Sequence, residues 1–169
     1  MDLPKRKLHR LQGYDYSQEG AYYITICTSN RRCALSHVIP GDESNRAQIR
    51  LTPLGNIAEE ILNQLTAQYG IKLASNVIMP NHIHMILIME NRLIGKSVSV
   101  GRFVGAFKSI VSNRWQKECD RHGEVMGKLW QRDYYDHIIR NEADMLEKIR
   151  YIDENPDKWH QDKLYMCNE

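Results

Sequence analysis

The stretch at positions 79–88, in which apolar residues dominate positions 83–88, constrains the fold of this chain more than any other. Its β-branched isoleucines and short length, with Pro80 near its entry, favour a buried strand. Alternate residues of a strand point to the same face, so His82 and His84 project side by side and Ile83 points to the opposite layer. Two imidazoles one pleat apart can hold one metal ion. Alternatively, they are two polar residues at a strand mouth, satisfied by water or by backbone groups.

The composition is that of an ordinary soluble globular protein. A length of 169 residues predicts one domain, residues 1–169, with residues 1–20 as a basic N-terminal arm. Hydrophobic residues make up 42% of the chain, and the net charge of +2 is too small to indicate a nucleic-acid partner by itself. Cations nevertheless cluster, either as phosphate contacts or as solvated charges, at Lys5-Arg6-Lys7 with Arg10 and at Arg31-Arg32.

The cysteine spacing indicates neither a zinc site nor a disulfide framework. The four cysteines, at positions 27, 33, 119 and 167, contain no Cys-x-x-Cys pair. Free thiols in a reducing cytoplasm are the simplest interpretation. The sequence has no apolar run of about 18 residues and no signal peptide, so we expect a cytoplasmic protein that neither spans a membrane nor is exported.

Strand and helix patterns alternate along the chain. Besides the histidine strand, strands are predicted at residues 21–28, 71–79 and 129–139, with a short extended piece at 48–51. Loops are predicted at residues 29–45 and 91–98. The turn at residues 79–81 makes the strand at 71–79 and the histidine strand an antiparallel pair.

Three helices are predicted from apolar stripes and caps. The first begins at Thr52-Pro53 and ends at Gly70. The second carries a buried stripe that consists of Phe103, Val104, Phe107, Ile110, Val111 and Trp115. The third begins after Asn141, ends before Pro156 and has a core stripe that consists of Met145, Leu146, Ile149 and Ile152.

The order strand, helix, strand, strand, helix, strand, helix predicts an α+β fold. Its first six elements match the βαββαβ order of ferredoxin-like folds, and one extra C-terminal helix follows. The expected architecture is an antiparallel sheet with helices packed on one face.

Tyr151 and Asn155 share one side of the last predicted helix. At about 100° per residue, Tyr151 falls away from the centre of the apolar stripe. Residues four apart are neighbours on a helix surface, so the phenol and the amide oxygen are presented together. Alternatively, Tyr151 is a rim tyrosine and Asn155 merely closes the helix before Pro156.

Taken together, these features resemble the HUH (histidine–hydrophobic–histidine) single-tyrosine transposases of the insertion sequence 200-like family, and more closely the REP-associated tyrosine transposases. The resemblance spans roughly residues 13–158. It is carried by four segments in order: residues 13–16 with 20–25, Met79-Pro80-Asn81-His82-Ile83-His84, residues 129–137 and Tyr151-Ile152-Asp153-Glu154-Asn155-Pro156.

The resemblance implies a role for each site residue. His82 and His84 are expected to ligate a divalent cation, Mg²⁺ or Mn²⁺. Asn155 is the implied third ligand, at a position where insertion-sequence relatives usually have a glutamine. Tyr151, on the extra helix, is the implied nucleophile. Phosphodiester cleavage needs neutralised phosphate charge and a positioned nucleophile, which agrees with this set.

The implied activity is metal-dependent cleavage and strand transfer of single-stranded DNA through a covalent 5′-phosphotyrosine intermediate. The expected partner is single-stranded DNA with a hairpin or palindromic repeat, bound by a monomer or a homodimer in the cytoplasm, at the nucleoid when on DNA. Two alternatives remain open. One is an HUH replication initiator or relaxase, and the other is a domesticated DNA- or RNA-binding module on the same fold.

Several further residues are candidates for contacts with DNA. Lys108, Arg114 and Arg132 are either phosphate contacts or solvated charges. Tyr134 and Tyr135 either stack on bases or belong to the core, and His137 is either structural or functional.

Overall fold

The computed structural model describes residues 18–90 and 98–165. Four parts of the sequence prediction lie outside these residues. They are the cation cluster of Lys5-Arg6-Lys7 with Arg10, the segment 13–16, most of the loop at 91–98, and Cys167.

The described part of the chain contains six strands and three α-helices. In chain order these are β1 Gly20–Cys27, β2 Ser36–Ile39, β3 Gln48–Leu51, α1 Pro53–Tyr69, β4 Lys72–Ile78, β5 His82–Met89, α2 Val100–His122, β6 Tyr135–Ile139 and α3 Glu142–Glu154. Two single 3-10 turns are formed by Ser29–Arg31 and Trp159–Gln161. None of the described helices is long and apolar enough to cross a lipid bilayer.

Four strands form one antiparallel sheet in the order β4-β5-β1-β6. Together with α1 and α2, this gives the ferredoxin-like βαββαβ arrangement, and α3 is the extra C-terminal helix. The predicted fold class is confirmed. The predicted antiparallel pairing of β4 with β5 is confirmed as well. The two central strands, β5 and β1, are flanked on both edges.

The two faces of the sheet have different coverings. One face contributes Tyr22, Ile24, Ile26, Ile83, Met85 and Leu87 to a large core with the apolar stripes of α1 and α2. The other face contributes Tyr23, Ile86 and Ile139 to a small cluster with Ile152 of α3. Each fully buried aliphatic side chain contributes about 1.5–3 kcal/mol, so α1 and α2 are held far more strongly than α3.

Side-chain caps begin α1 and α3 at the residues that the sequence predicted. Thr52 accepts a hydrogen bond from the Gly55 amide at 3.1 Å and Asn141 accepts one from the Asp144 amide at 2.9 Å. Gly70 ends α1 with φ of 63°, in the left-handed region that a residue with a Cβ rarely adopts.

The predicted strand at residues 129–139 is wrong over its first half. Only Tyr135–Ile139 forms a strand, and before it the chain makes an isolated bridge between Trp130 and Thr28. The ammonium group of Lys108 donates hydrogen bonds to the carbonyl oxygens of residues 131, 132 and 133, at 2.9, 3.3 and 3.0 Å. These carbonyls therefore do not join a strand ladder.

The predicted loop at residues 29–45 contains a strand that the sequence did not indicate. Ser36–Ile39 pairs with Gln48–Leu51 to form a separate two-stranded sheet, so the short extended piece at 48–51 is confirmed. With four residues and only two apolar side chains, β2 is too short for an alternation pattern to identify it.

Two residues of the predicted helix stripes are exposed. Ile110 of α2 is 39% exposed and Leu146 of α3 is 54% exposed. At about 100° per residue, Leu146 lies about 100° from Met145. The buried side of α3 is instead set by Ile152, with Met145 and Ile149 packed against its cluster.

Truncation of these two α3 residues should affect stability very differently. Ile152→Ala is expected to lower the free energy of unfolding by about 2–4 kcal/mol, because it leaves a cavity in a fully buried cluster. Leu146→Ala is the matched control on the same helix and should change it by less than about 0.5 kcal/mol. Urea unfolding monitored by circular dichroism measures both. Equal effects would contradict the burial described for α3.

Candidate active site

His82 and His84 lie side by side on the face of the sheet that α3 covers. In β5 they pair with Cys27 and Thr25 of β1. Both histidines are buried, and their ring centroids are 4.4 Å apart. The sequence prediction that the two imidazoles share one strand face is confirmed.

The His82 ring is fixed through the Asn81 amide. Asn81 Oδ1 accepts a hydrogen bond from His82 Nδ1 at 2.8 Å. The amide cannot turn freely, because its Nδ2 donates to the carbonyl oxygens of Leu164 (2.8 Å) and Arg31 (3.2 Å). With the proton on Nδ1, Nε2 carries a lone pair, and this atom is buried without a hydrogen-bond partner.

The His84 ring is held by two hydroxyl groups of β1. Its Nδ1 lies 2.7 Å from the Tyr23 hydroxyl and 2.8 Å from Thr25 Oγ1. Burial raises the pKa of Tyr23, so its hydroxyl stays protonated at neutral pH. His84 Nε2, like that of His82, is buried without a partner. Unpartnered buried polar atoms are uncommon in folded proteins, so these two nitrogen atoms call for an explanation such as a bound water or ion.

A carboxylate completes this group. Ligand atoms of His82, His84 and Asp162 all lie within 4.8 Å of one another, so the three side chains can hold a metal ion. Asp162 follows the 3-10 turn Trp159–Gln161 and is tied to its own segment, because Oδ1 accepts a hydrogen bond from the Leu164 amide at 2.6 Å. Two imidazoles with one carboxylate form a donor set that accepts divalent metals.

Burial keeps both imidazoles in the form that binds metals. It lowers the pKa of His82 to about 4, and the nearby Asp162 carboxylate only partly opposes this. Burial, followed by the neighbouring His82, holds the pKa of His84 well below its usual range. Both rings are therefore neutral at pH 7, and metal binding requires no deprotonation.

Tyr151 of α3 and Asn155, which directly follows this helix, face the same group. Asn155 is buried, its Nδ2 donates to Asp162 Oδ2 at 2.8 Å, and its Oδ1 has no hydrogen-bond partner. The Tyr151 hydroxyl makes a long hydrogen bond of 3.4 Å to the same carboxylate oxygen. The Tyr151 ring centroid lies 5.3 Å from that of His84 in the same chain.

Tyr151 lines an open cavity, the active-site cavity. It is 45% exposed and lines this cavity, of about 750 Å³, together with Tyr23, His84, Tyr135 and Asn155. Burial, followed by the charge of Asp162, raises the pKa of Tyr151. The phenol is therefore protonated at neutral pH and needs nearby positive charge before it can act as a nucleophile.

A family model described as transposase IS200-like matches residues 19–155, most of the chain. This chain belongs to the IS200-like transposase family. The match includes His82, His84, Tyr151 and Asn155. Asp162 lies beyond it.

Two Haemophilus influenzae proteins are similar in sequence to this IS200-like transposase. One, which has no assigned activity, is 33% identical over an alignment of 179 positions, gaps included, that covers 95% of this chain and 93% of that protein. The other, provisionally named a REP-associated tyrosine transposase, is 22% identical over an alignment of 149 positions, gaps included, that covers 85% of this chain and 74% of that protein.

Two solved structures share the fold. A REP-associated tyrosine transposase bound to a REP hairpin superposes with a TM-score of 0.61 at 19% identity, over 91% of this chain and 76% of that chain. A Deinococcus radiodurans protein, provisionally named a transposase, superposes with a TM-score of 0.50 at 19% identity, over 87% of this chain and 96% of that chain. At this identity the likeness establishes the fold alone.

The candidate DNA contacts of this IS200-like transposase lie in different places. Lys108 is bound to three carbonyl oxygens and lies 5.8 Å from the centroid of the Tyr134 ring. Arg114 forms an ion pair of 2.7 Å with Glu60. Arg132 lines a second hollow beside the active-site cavity.

Two of the remaining candidates line the cavity, and the third connects β6 with α3. Tyr134 and Tyr135 both line the cavity. His137 Nε2 donates a hydrogen bond to Asp144 Oδ2 at 2.9 Å, and this carboxylate also accepts the Arg140 amide, so this contact links β6 to the start of α3.

Sequence reasoning missed Asp162 and the residues that orient the histidines. Asp162 is seven positions beyond Asn155, after α3 has ended, so no helical spacing relates the two residues. Asn81, Tyr23 and Thr25 act through hydrogen bonds to Nδ1 atoms. Strand alternation could have identified two of them, since Tyr23 and Thr25 of β1 point to the same face of the sheet as the histidines of β5.

Proposed function

We propose that this IS200-like transposase is a metal-dependent enzyme that cleaves and rejoins single-stranded DNA, with Tyr151 as the nucleophile. The observation that carries the proposal is that Asp162 lies next to both Tyr151 and the two histidines. Asp162 Oδ2 accepts the hydrogen bond of the Tyr151 hydroxyl, and Asp162 lies within 4.8 Å of the ligand atoms of both histidines. The phenol thus lies directly beside a group that can hold a metal.

We assign the metal ligands to His82, His84 and Asn155. Each has a buried nitrogen or oxygen without a hydrogen-bond partner, whereas the oxygens of Asp162 already accept hydrogen bonds from three donors. The amide oxygen of Asn155 suits Mg²⁺ or Mn²⁺, and the two imidazoles favour a transition metal such as Mn²⁺ over Mg²⁺. When bound, the cation supplies positive charge that neutralises a phosphate oxygen and favours ionisation of the phenol.

In the proposed reaction, the Tyr151 oxygen attacks the phosphorus atom of the scissile phosphodiester and a phosphorus–tyrosine bond forms. The Tyr151 proton passes to Asp162 Oδ2, which already accepts its hydrogen bond. The bond between phosphorus and the 3′ oxygen breaks, and the 3′ oxygen takes up this proton from Asp162 through solvent, so that the cleaved strand ends in a 3′-hydroxyl. Because the 5′-phosphotyrosine retains the phosphodiester bond energy, attack by a 3′-hydroxyl rejoins strands without ATP. Tyr151 acts at the histidines of its own chain.

Single-stranded DNA that carries a hairpin is the substrate we propose. Support comes from the relative with the same fold that is bound to a REP hairpin. The cavity is also wide, and the exposed Tyr135 ring, which like Tyr151 packs against Tyr23, offers a surface on which an unpaired base can stack.

The test is formation of a covalent complex on a labelled, hairpin-bearing single strand in Mg²⁺ or Mn²⁺. We expect a denaturant-stable protein–DNA adduct that EDTA abolishes. The protein should bind this hairpin-bearing strand more tightly than a duplex of equal length. This affinity should fall steeply with salt, because phosphate contacts release counterions. Tight binding without any adduct across both metals would instead support a DNA-binding module on this fold.

A further inference from the structure

A second, basic hollow lies beside the active-site cavity. Its volume is about 510 Å³, and it is lined by Ser29, Asn30, Arg31, Lys128, Gln131 and Arg132. Three of these six residues carry a positive charge and none carries a negative one. Within residues 18–90 and 98–165, no ion pair involves any of the three cations.

Backbone hydrogen bonds hold the two walls of this hollow at a fixed separation. The Ser29 amide donates to the Leu129 carbonyl at 2.8 Å, and the Gln131 amide donates to the Cys27 carbonyl at 3.0 Å. Lys108 holds the segment from residue 131 to residue 133 by its carbonyl oxygens. The cations are therefore presented on a frame that exists before any ligand binds.

The charges around the two spaces differ in sign. The active-site cavity is lined by four carboxylates, Asp133, Glu147, Glu154 and Asp162, against three ammonium groups, Lys148, Lys158 and Lys163. A polyanion that enters this cavity gains little net attraction from its walls. The basic hollow supplies the missing positive charge. Gln131 lines both spaces, so they adjoin along one surface.

We propose that the basic hollow binds backbone phosphates of the single strand that continues past the active-site cavity. This inference rests on the function proposed above, because it identifies where the flanking part of the same substrate binds. Arg132 and Lys128 are exposed and contact these phosphates directly. Arg31, whose guanidinium donates to the Lys163 carbonyl at 3.4 Å, lies between the hollow and the segment that carries Asp162.

The test compares two variants that remove the same charge. Lys128→Gln with Arg132→Gln is measured against the control Lys72→Gln with Lys117→Gln, two exposed lysines of β4 and α2 that line neither space. Both pairs are placed in the non-cleaving Tyr151→Phe background, and binding of labelled strands is measured as a function of salt. The strands carry the hairpin with a long or a truncated single-stranded flank on either side.

Two lost phosphate contacts should weaken binding of one long-flank strand about tenfold and reduce the salt slope by about 1.4, since each single-strand contact contributes about 0.7. The affinity of this variant for the truncated strands should change less than about twofold. The affinity of the control pair for every strand should also change less than about twofold. Lys128→Arg with Arg132→Lys should restore affinity. Equal effects of the two Gln pairs, with cleavage by the parent protein intact, overturn this inference and leave the proposed function standing. Absence of any adduct with the parent protein overturns the proposed function itself.

Discussion

Replacing Tyr151 with phenylalanine is expected to remove the covalent protein–DNA adduct and to leave DNA binding intact. Only the hydroxyl is lost, and in the proposed mechanism this oxygen forms the bond to phosphorus. We expect adduct formation to fall by at least about a thousandfold, because no other group replaces a missing nucleophile. Denaturing gels with a labelled strand measure the adduct, and fluorescence anisotropy measures binding.

The change should not unfold the protein. Tyr151 is about half exposed, and its hydroxyl makes one long hydrogen bond to Asp162. Its loss should alter the free energy of unfolding by no more than about 1 kcal/mol. Tyr135→Phe is the matched control, since Tyr135 is a comparably exposed tyrosine of the same cavity. An adduct that persists in Tyr151→Phe and disappears in Tyr135→Phe would reassign the nucleophile.

Removing both strand histidines should abolish metal-dependent cleavage. In His82→Ala with His84→Ala, both imidazole Nε2 atoms, which are buried without hydrogen-bond partners, are gone. The second readout is thermal unfolding with and without Mn²⁺. A ligand that binds only the folded protein stabilises it by about 2.7 kcal/mol at a concentration 100 times its Kd. Mn²⁺ should therefore raise the Tm of the parent protein and leave the Tm of the double variant unchanged.

Two controls separate loss of the metal from loss of the fold. His37→Ala with His160→Ala removes two exposed histidines and should keep both cleavage and the Mn²⁺-dependent rise in Tm. The His82→Ala, His84→Ala protein must retain its far-ultraviolet circular dichroism, because each change also opens space in the central strand. Undiminished cleavage by this protein in the same buffer would falsify the metal assignment.

The sequence predicted those features that depend on local periodicity. Strand alternation placed His82 and His84 on one face, and helical spacing placed Tyr151 and Asn155 together because four residues make about one turn. Caps at Thr52 and Asn141 follow from side-chain chemistry within three residues. Each of these inferences uses only neighbours along the chain.

Features that depend on distant neighbours were not predictable. Asp162 reaches the histidines only because the chain turns after α3. Pro156 marks where the helix ends, but no pattern gives the direction that the chain takes afterwards. The course of residues 129–134 depends on the ammonium group of Lys108, more than twenty positions earlier. The exposure of Ile110 and Leu146 shows the same limit, because an apolar residue at a stripe's edge is buried only where a partner element covers it.

The unequal covering of the sheet has a consequence for amide hydrogen exchange. The histidines belong to a central strand backed by the large core, whereas α3 is attached mainly through the small cluster of Tyr23, Ile86, Ile139 and Ile152. Weakly packed elements open locally at a lower free energy than the whole domain. Amides of α3 should therefore exchange faster than those of β5. A cation shared by His82, His84 and Asn155 would join strand to helix and slow exchange in α3 selectively.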